Sequence, residues 1–311
     1  MHWSLVLAAA AAVGTTSATV DIGPIPSAGS GEVLKLGAEA HDRLTVPVTI
    51  SGMGPFNFVL DTGAQATVLS TALADRLMLT DRRPATLVGM ASTKPVETTY
   101  VPDFALGSRT FAIHVAPLVA AANIGGADGI LGIDSLQGQR VLLDFKNKRI
   151  SVAEARQLGG DNGYEIIVTA HRKLGQLIIT HAKVDGIRTA VLVDTGSELS
   201  VGNMALFEKL NRRKQAGQMQ MIDVNGVSLS GPARMGGDLT IGSASISNFA
   251  IGFADAPTFR TLGLTKEPAL ILGMSELRVF KRVAIDFQQR RILFDLPTSA
   301  MINDSLLYAH H

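Results

Sequence analysis

The sequence predicts a mostly-β protein of two pseudo-symmetric β-barrel lobes, each with one or two short helices. Three observations carry that expectation. The tripeptide Asp-Thr-Gly occurs at 61–63 and again at 194–196, with matching segments on both sides of each copy. Each copy is a series of short β-branched and aromatic runs, punctuated by Gly, Asn and Asp. A polar, Gly-rich stretch, "ARQLGGDNG" (155–163), stands between them.

Taken in order, the first element is "LVLAAAAAV" (5–13), apolar but too short to span a bilayer, with small residues at Thr16 and Ala18 beyond it. It resembles a secretory signal peptide, so residues 1–18 are set apart from the fold. The protein is then expected to be exported, periplasmic or secreted, with no stable membrane association once the segment is removed. An N-terminal membrane anchor is the alternative. The first lobe is expected over 33–155 and the second over 164–297.

Within the lobes, "RLTVPVTI" (43–50) matches "QLIITHAK" (176–183), each a strand leading to a turn. The strands "FVL" and "VLV" then run into Asp61 and Asp194. Ser70 and Asn203 each stand nine residues after their aspartate and are suited to cap the helices of "TALADRL" and "MALFEKLNRR". "FALGSRTFAIHV" (104–115) parallels "LTIGSASISNFAI" (239–251), two strands about a Gly-Ser turn. "DGILGIDSL" (128–136) parallels "ALILGMSEL" (269–277). Last, "RVLLDFKNKRISV" (140–152) pairs with "RVAIDFQQRRILF" (282–294), both hairpins. Asp144 and Asp286 recur at equivalent places in these hairpins, where a turn-fixing or arginine-binding role is expected.

Composition removes several functions. Net charge is +1 and no basic block occurs, so nucleic acid is not an expected partner. The absence of cysteine excludes disulfides, thiolate metal sites and a cysteine nucleophile. The seven histidines are scattered without paired ligand spacing, so neither metal nor cofactor is expected.

A single Asp-Thr-Gly is an ordinary turn after a strand. Two copies at equivalent points of a duplicated fold can meet on a pseudo-two-fold axis, which would bring Asp61 and Asp194 face to face. Carboxylates about 3 Å apart, at an effective dielectric near 20, repel by about 5 kcal/mol when both are charged. One therefore keeps a proton and the pair titrates as a unit. The charged member can draw a proton from water while the protonated one donates to a carbonyl oxygen. Gly63 and Gly196 let the backbone turn without a side chain blocking the water.

With "VLDTGAQATVLS" and "GILGID" in the first half, and "LVDTGSELSV" and "LILGM" in the second, the chain resembles the pepsin and retropepsin group of aspartic peptidases. The likeness covers both halves and is nearest to bacterial retropepsin-like proteins, here with two lobes fused in one chain. It implies an aspartic endopeptidase with Asp61 and Asp194 as the catalytic pair and polypeptide as substrate, for which a monomer suffices. Thr62 and Thr195 would cross-link the two loops through hydroxyl bonds to the opposite backbone, a fireman's grip. After each glycine the lobes differ, with Ala64 in one and Ser197 in the other. A Ser197 hydroxyl on the outer oxygen of Asp194 would make that aspartate the more acidic.

The resemblance also implies a hairpin flap over the substrate. "TLVGMASTKPVETTY" (86–100) offers one, with its tip at Gly89 and Met90 and on to Ser92. "MIDVNGVSLSGP" (221–232) offers the counterpart, turning at Asn225-Gly226. Tyr100 falls past the first tip and is expected to be a packed strand residue. Two competing readings are a peptide-binding protein of the same fold without turnover, and a Ser–His hydrolase. The second lacks a G-x-S-x-G or comparable ordered signature.

Overall fold

Alternation of apolar and polar side chains sets the first lobe. In β1 (Leu44–Ile50) Val46, Val48 and Ile50 point inward. In β2 (Met53–Leu60) Phe56, Phe58 and Leu60 are buried and Asn57 is exposed. The computed structural model describes residues 4–6, 33–35, 37–38, 44–210, 215–235 and 237–296. Of the expected signal segment, only Ser4–Val6 lies among the described residues, as a short strand parallel to Thr86–Val88.

The lobe continues with β3 (Val68–Ser70), α1 (Thr71–Arg76), β4 (Arg83–Val88), β5 (Thr93–Leu106) and β6 (Arg109–Val119). Then come β7 (Gly129–Leu131), α2 (Ile133–Leu136), β8 (Arg140–Asp144) and β9 (Arg149–Ala153). Pairing runs β1–β2–β7–β3–β6–β5 and back to β1, a closed six-strand barrel. The edge-on pair Phe58–Phe104, with ring centroids 5.4 Å apart, lies in its core.

The second lobe repeats the order: β10 (Ile166–Thr169), β11 (Gln176–Val184), β12 (Ile187–Val193), β13 (Ser200–Gly202), α3 (Met204–Lys209), β14 (Gln215–Ile222) and β15 (Ser228–Met235). It ends with β16 (Asp238–Ile241), β17 (Ala244–Ser247), β18 (Ala250–Phe253), α4 (Pro257–Thr261), β19 (Ala269–Leu272), α5 (Met274–Leu277), β20 (Arg282–Asp286) and β21 (Arg291–Asp295). The pairings β11–β12–β19–β13–β18 reproduce the first ring. The counterpart of β6 is cut into β17 and β18, with Asn248 at φ 57 between them, and that of β5 into β15 and β16. Ser70 and Asn203 cap α1 and α3, accepting from Leu73 N at 3.1 Å and Leu206 N at 2.9 Å. The expected elements do not include α4, which begins on Pro257.

A six-stranded sheet joins the halves: residues 33–35, β9, β8, β20, β21 and β10 in that order. At its centre β8 and β20 run antiparallel with Arg140 opposite Asp286. The buried Arg140 guanidinium pairs with Asp286 at 2.8 Å. Asp286 also accepts from Gln289 N at 2.7 Å, and Asp144 from Asn147 N at 3.0 Å, so both aspartates fix the turns of their hairpins. The two lobes are thus held in register from below, which positions the loops that follow β2 and β12.

Candidate active site

Each acidic turn is threaded beside its Ile-Leu-Gly strand. Asp61 N donates to Leu131 O at 3.1 Å and Asp194 N to Leu272 O at 3.0 Å. One turn further on, Ile133 N reaches Ala64 O at 2.9 Å and Met274 N reaches Ser197 O at 2.8 Å. With β2 and β12 packed on these strands, the two carboxyls have little freedom.

Thr62 and Thr195 tie the turns to each other. Thr62 Oγ1 donates to Val193 O at 2.9 Å and accepts from Thr195 N at 3.2 Å. Thr195 Oγ1 donates to Leu60 O at 2.8 Å and accepts from Thr62 N at 3.1 Å. All four bonds cross between lobes and are buried, so neither turn shifts without the other.

The aspartates meet across this link. A Cβ on Gly63 would lie 2.5 Å from Asp194 Cγ, and one on Gly196 would overlap the Asp61 carboxyl. Each glycine is therefore the floor on which the opposite carboxyl rests. Asp61 Oδ1 accepts from Gly63 N at 2.8 Å and Ala64 N at 2.9 Å, and Asp194 Oδ1 from Gly196 N at 2.8 Å. Both side chains are shielded from solvent. Among the described residues Asp194 Oδ2 receives no N–H, and its carboxyl is in hydrogen-bonding reach of Asp61. A proton shared between the two carboxyls satisfies both facts. Burial first, and then the charge of Asp61, hold the Asp194 carboxyl well above the ordinary range.

Ser197 departs from the expectation. Its hydroxyl donates to Leu199 O at 2.7 Å, an acceptor two residues away, and Asp194 is served by the Ser197 backbone N–H instead. Asp194 thereby lacks the hydroxyl bond expected to make it the more acidic member, and its raised carboxyl is the natural seat of the proton.

The hairpins β4–β5 and β14–β15 meet tip to tip. Gly89 N closes the first turn on Ser92 O at 2.8 Å, and Gly226 at φ 72 turns the second. Asp223, which no sequence signal marked, joins them. Its Oδ1 accepts from Asn225 N at 3.0 Å and Val227 N at 2.9 Å within its own turn. Its Oδ2 accepts from Ala91 N at 3.1 Å and Ser92 Oγ at 2.7 Å across the gap. Asn225 Nδ2 adds a bond to Ser92 Oγ at 3.0 Å, and Lys94 Nζ donates to Asn225 O at 3.0 Å. The apolar tips are exchanged as well. Met90 belongs to the second lobe's cluster with Leu192 and Ile271, while Val224 belongs to the first lobe's with Val59, Ala64 and Ile130. Tyr100 lies away from the tips, half-exposed on β5 against His114.

Removing this latch has a local signature. In Asp223→Ala the Ala91 amide exchanges with solvent about 10- to 100-fold faster, since two bonds to a carboxylate are lost. The Thr62 and Thr195 amides keep their protection. Unchanged exchange at Ala91 would show that apolar packing alone holds the tips.

Behind each acidic turn sits a second acid, exposed in the first lobe and buried in the second. Asp134 accepts Thr67 Oγ1 at 2.6 Å and Thr67 N at 3.0 Å. In the second lobe Glu276 accepts the Ser200 hydroxyl, and Ser200 Oγ accepts Gly273 N at 3.0 Å. Burial pushes the Glu276 carboxyl from the 4.5 of a free glutamate to about 7. Between those pH values the folded chain holds a proton that the unfolded chain has lost, so stability falls as pH rises through the window. Glu276→Gln removes the fall. It should be more stable than the parent by about 3 kcal/mol at pH 8 and equal to it at pH 4, read by urea unfolding. The same pH dependence in both proteins would refute the assignment.

Among the described residues no three His, Asp or Glu side chains converge as a metal site requires. A family model described as Aspartyl protease matches residues 46–135 and again 180–275, more than half of the chain and one match in each lobe. No curated protein matches the chain.

Proposed function

Since the chain belongs to the aspartyl protease family, we propose that it is an endopeptidase in which Asp61 and Asp194 together activate water against a peptide bond. The observation that carries this reading is the cross-packing of each glycine on the opposite aspartate, with both carboxyls in reach of one proton. Asp61, holding two backbone N–H groups on one oxygen, takes the charge and acts as base. Asp194, with its raised affinity for a proton, donates to the carbonyl oxygen as the tetrahedral centre forms. Proton transfer back to the leaving nitrogen then releases both products without a covalent intermediate.

The substrate is an extended polypeptide lying as a strand between lobes and hairpins, recognised through its backbone. Because both carboxyls are shielded and the tips are tied, it reaches them only when the hairpins part. A single chain supplies both aspartates, so a monomer is the acting unit, and an exported location suits a hydrolase free of cysteine.

The test is digestion of an unbiased peptide mixture from pH 3 to 8 by the parent protein, Asp61→Ala and Asp194→Ala. Internal cleavage by the parent, lost in both variants with folding intact, is the expected result. A folded parent that cuts nothing at any pH would instead indicate a peptide-binding protein that lacks turnover.

A further inference from the structure

We propose that Gln176 is a positioning residue for Asp61, biasing the shared proton away from it through a single peptide group. Gln176 opens β11 in the second lobe and its side chain is fully buried. Its amide donates across the lobe boundary to the Gly63 carbonyl. That carbonyl and the Ala64 N–H belong to the same peptide unit, and Ala64 N donates to Asp61 Oδ1 at 2.9 Å. The three groups form a relay, from side-chain amide to carbonyl, then through the peptide to N–H and carboxylate.

Donation into the carbonyl draws electron density from the peptide nitrogen and makes its N–H a stronger donor. A charged carboxylate gains more from a stronger donor than a neutral one does. Gln176 thus makes the first acidic turn the better place for negative charge and leaves the proton with Asp194.

The surroundings single out this residue. The β11 end of the second lobe clasps the first acidic turn at two further points. Gln65 Nε2 donates to Leu174 O at 2.9 Å, and Gly175 packs against Ile133. At the other end of the Gln176 amide, Oε1 is buried and has no hydrogen-bond partner among the described residues. That unfavourable placement is maintained by the bond its nitrogen makes. The ionisable groups around the pair are Asp194 itself, Asp134 behind the first turn, Glu198 paired with Arg278 at 2.5 Å, and Asp223 at the hairpin tip. Gln176 is neutral, so replacing it changes none of these charges.

The inference rests on Asp61 and Asp194 being the acting pair, but its test needs no turnover. In the full chain carrying Asp194→Asn, Asp61 titrates without a coupled partner, and 13C-carboxyl NMR reads its acid constant. Adding Gln176→Met, which has the same length and no donor, should lower that constant about three- to tenfold. An unchanged Asp61 titration in the folded double variant would overturn the proposal and leave Gln176 a packing residue. A readout free of substitutions is the Gln176 side-chain amide proton in the parent. It should shift in step with the ionisation of the pair, and a signal that stays constant through that titration would also overturn the relay. A parent that cleaves no peptide would sink the functional reading and leave both titration results standing.

Discussion

Asp194→Asn leaves a folded protein that no longer cleaves peptides, with kcat/KM reduced by about 10,000-fold, the upper range for loss of general acid–base catalysis. Asn fills the same volume and its amide can donate to Asp61, so the turn and the cross-lobe threonine bonds are kept. What it cannot do is hand a proton to a carbonyl oxygen and recover it. Stability moves the other way. Folded Asp194 keeps its proton above the ordinary carboxylate range, while the unfolded chain releases it within that range. The parent therefore loses stability as pH rises from the ordinary carboxylate pKa to that of folded Asp194. The Asn variant escapes this loss and unfolds at a higher temperature than the parent at pH 7, with the gap closing at pH 3. Retained cleavage, or a variant less stable than the parent at pH 7, would contradict the role given to Asp194.

Gly196→Ala breaks the site with one added methyl group. Its Cβ would occupy the space of the Asp61 carboxyl, and no rotamer change at position 196 can relieve that overlap. Either the lobes are pushed apart, at a loss of about 3 kcal/mol or more, or Asp61 swings away and the pair is broken. Activity is lost in both cases. The two are separated by adding Asp61→Ala: where the overlap is what destabilises, the double variant recovers stability beyond the sum of the single changes. Gly63→Ala, facing Asp194, behaves alike. Additive effects would show that the glycines are needed only for the turns.

Much of this was legible in the sequence, because duplication turns a weak signal into a strong one. Asp61 alone could have ended any strand; at matching points of two copies, Asp61 and Asp194 pointed to a meeting, and each carboxyl lies against the glycine of the opposite turn. The threonine bonds, which the family resemblance implied, are present as well. Capping at Ser70 and Asn203 and the turn roles of Asp144 and Asp286 were local and could be read directly.

What escaped depends on contacts between distant parts of the chain. The pairing of β8 with β20 joins hairpins from different halves, and nothing in either hairpin announces the other. No local signal marked Asp223, because its second oxygen serves the opposite tip. Gln176 carried no motif at all, since its partner is a backbone carbonyl in the other lobe. Ser197 was misread for the opposite reason. A hydroxyl takes the nearest well-placed acceptor, and Leu199 O lies closer along the chain than the aspartate does.

If Asp61 and Asp194 share one proton, a 13C-carboxyl titration of the parent protein shows two separated steps, the upper one belonging to Asp194 and lying well above the ordinary carboxylate value of about 4. Both carboxyls losing their protons together near that value would contradict it.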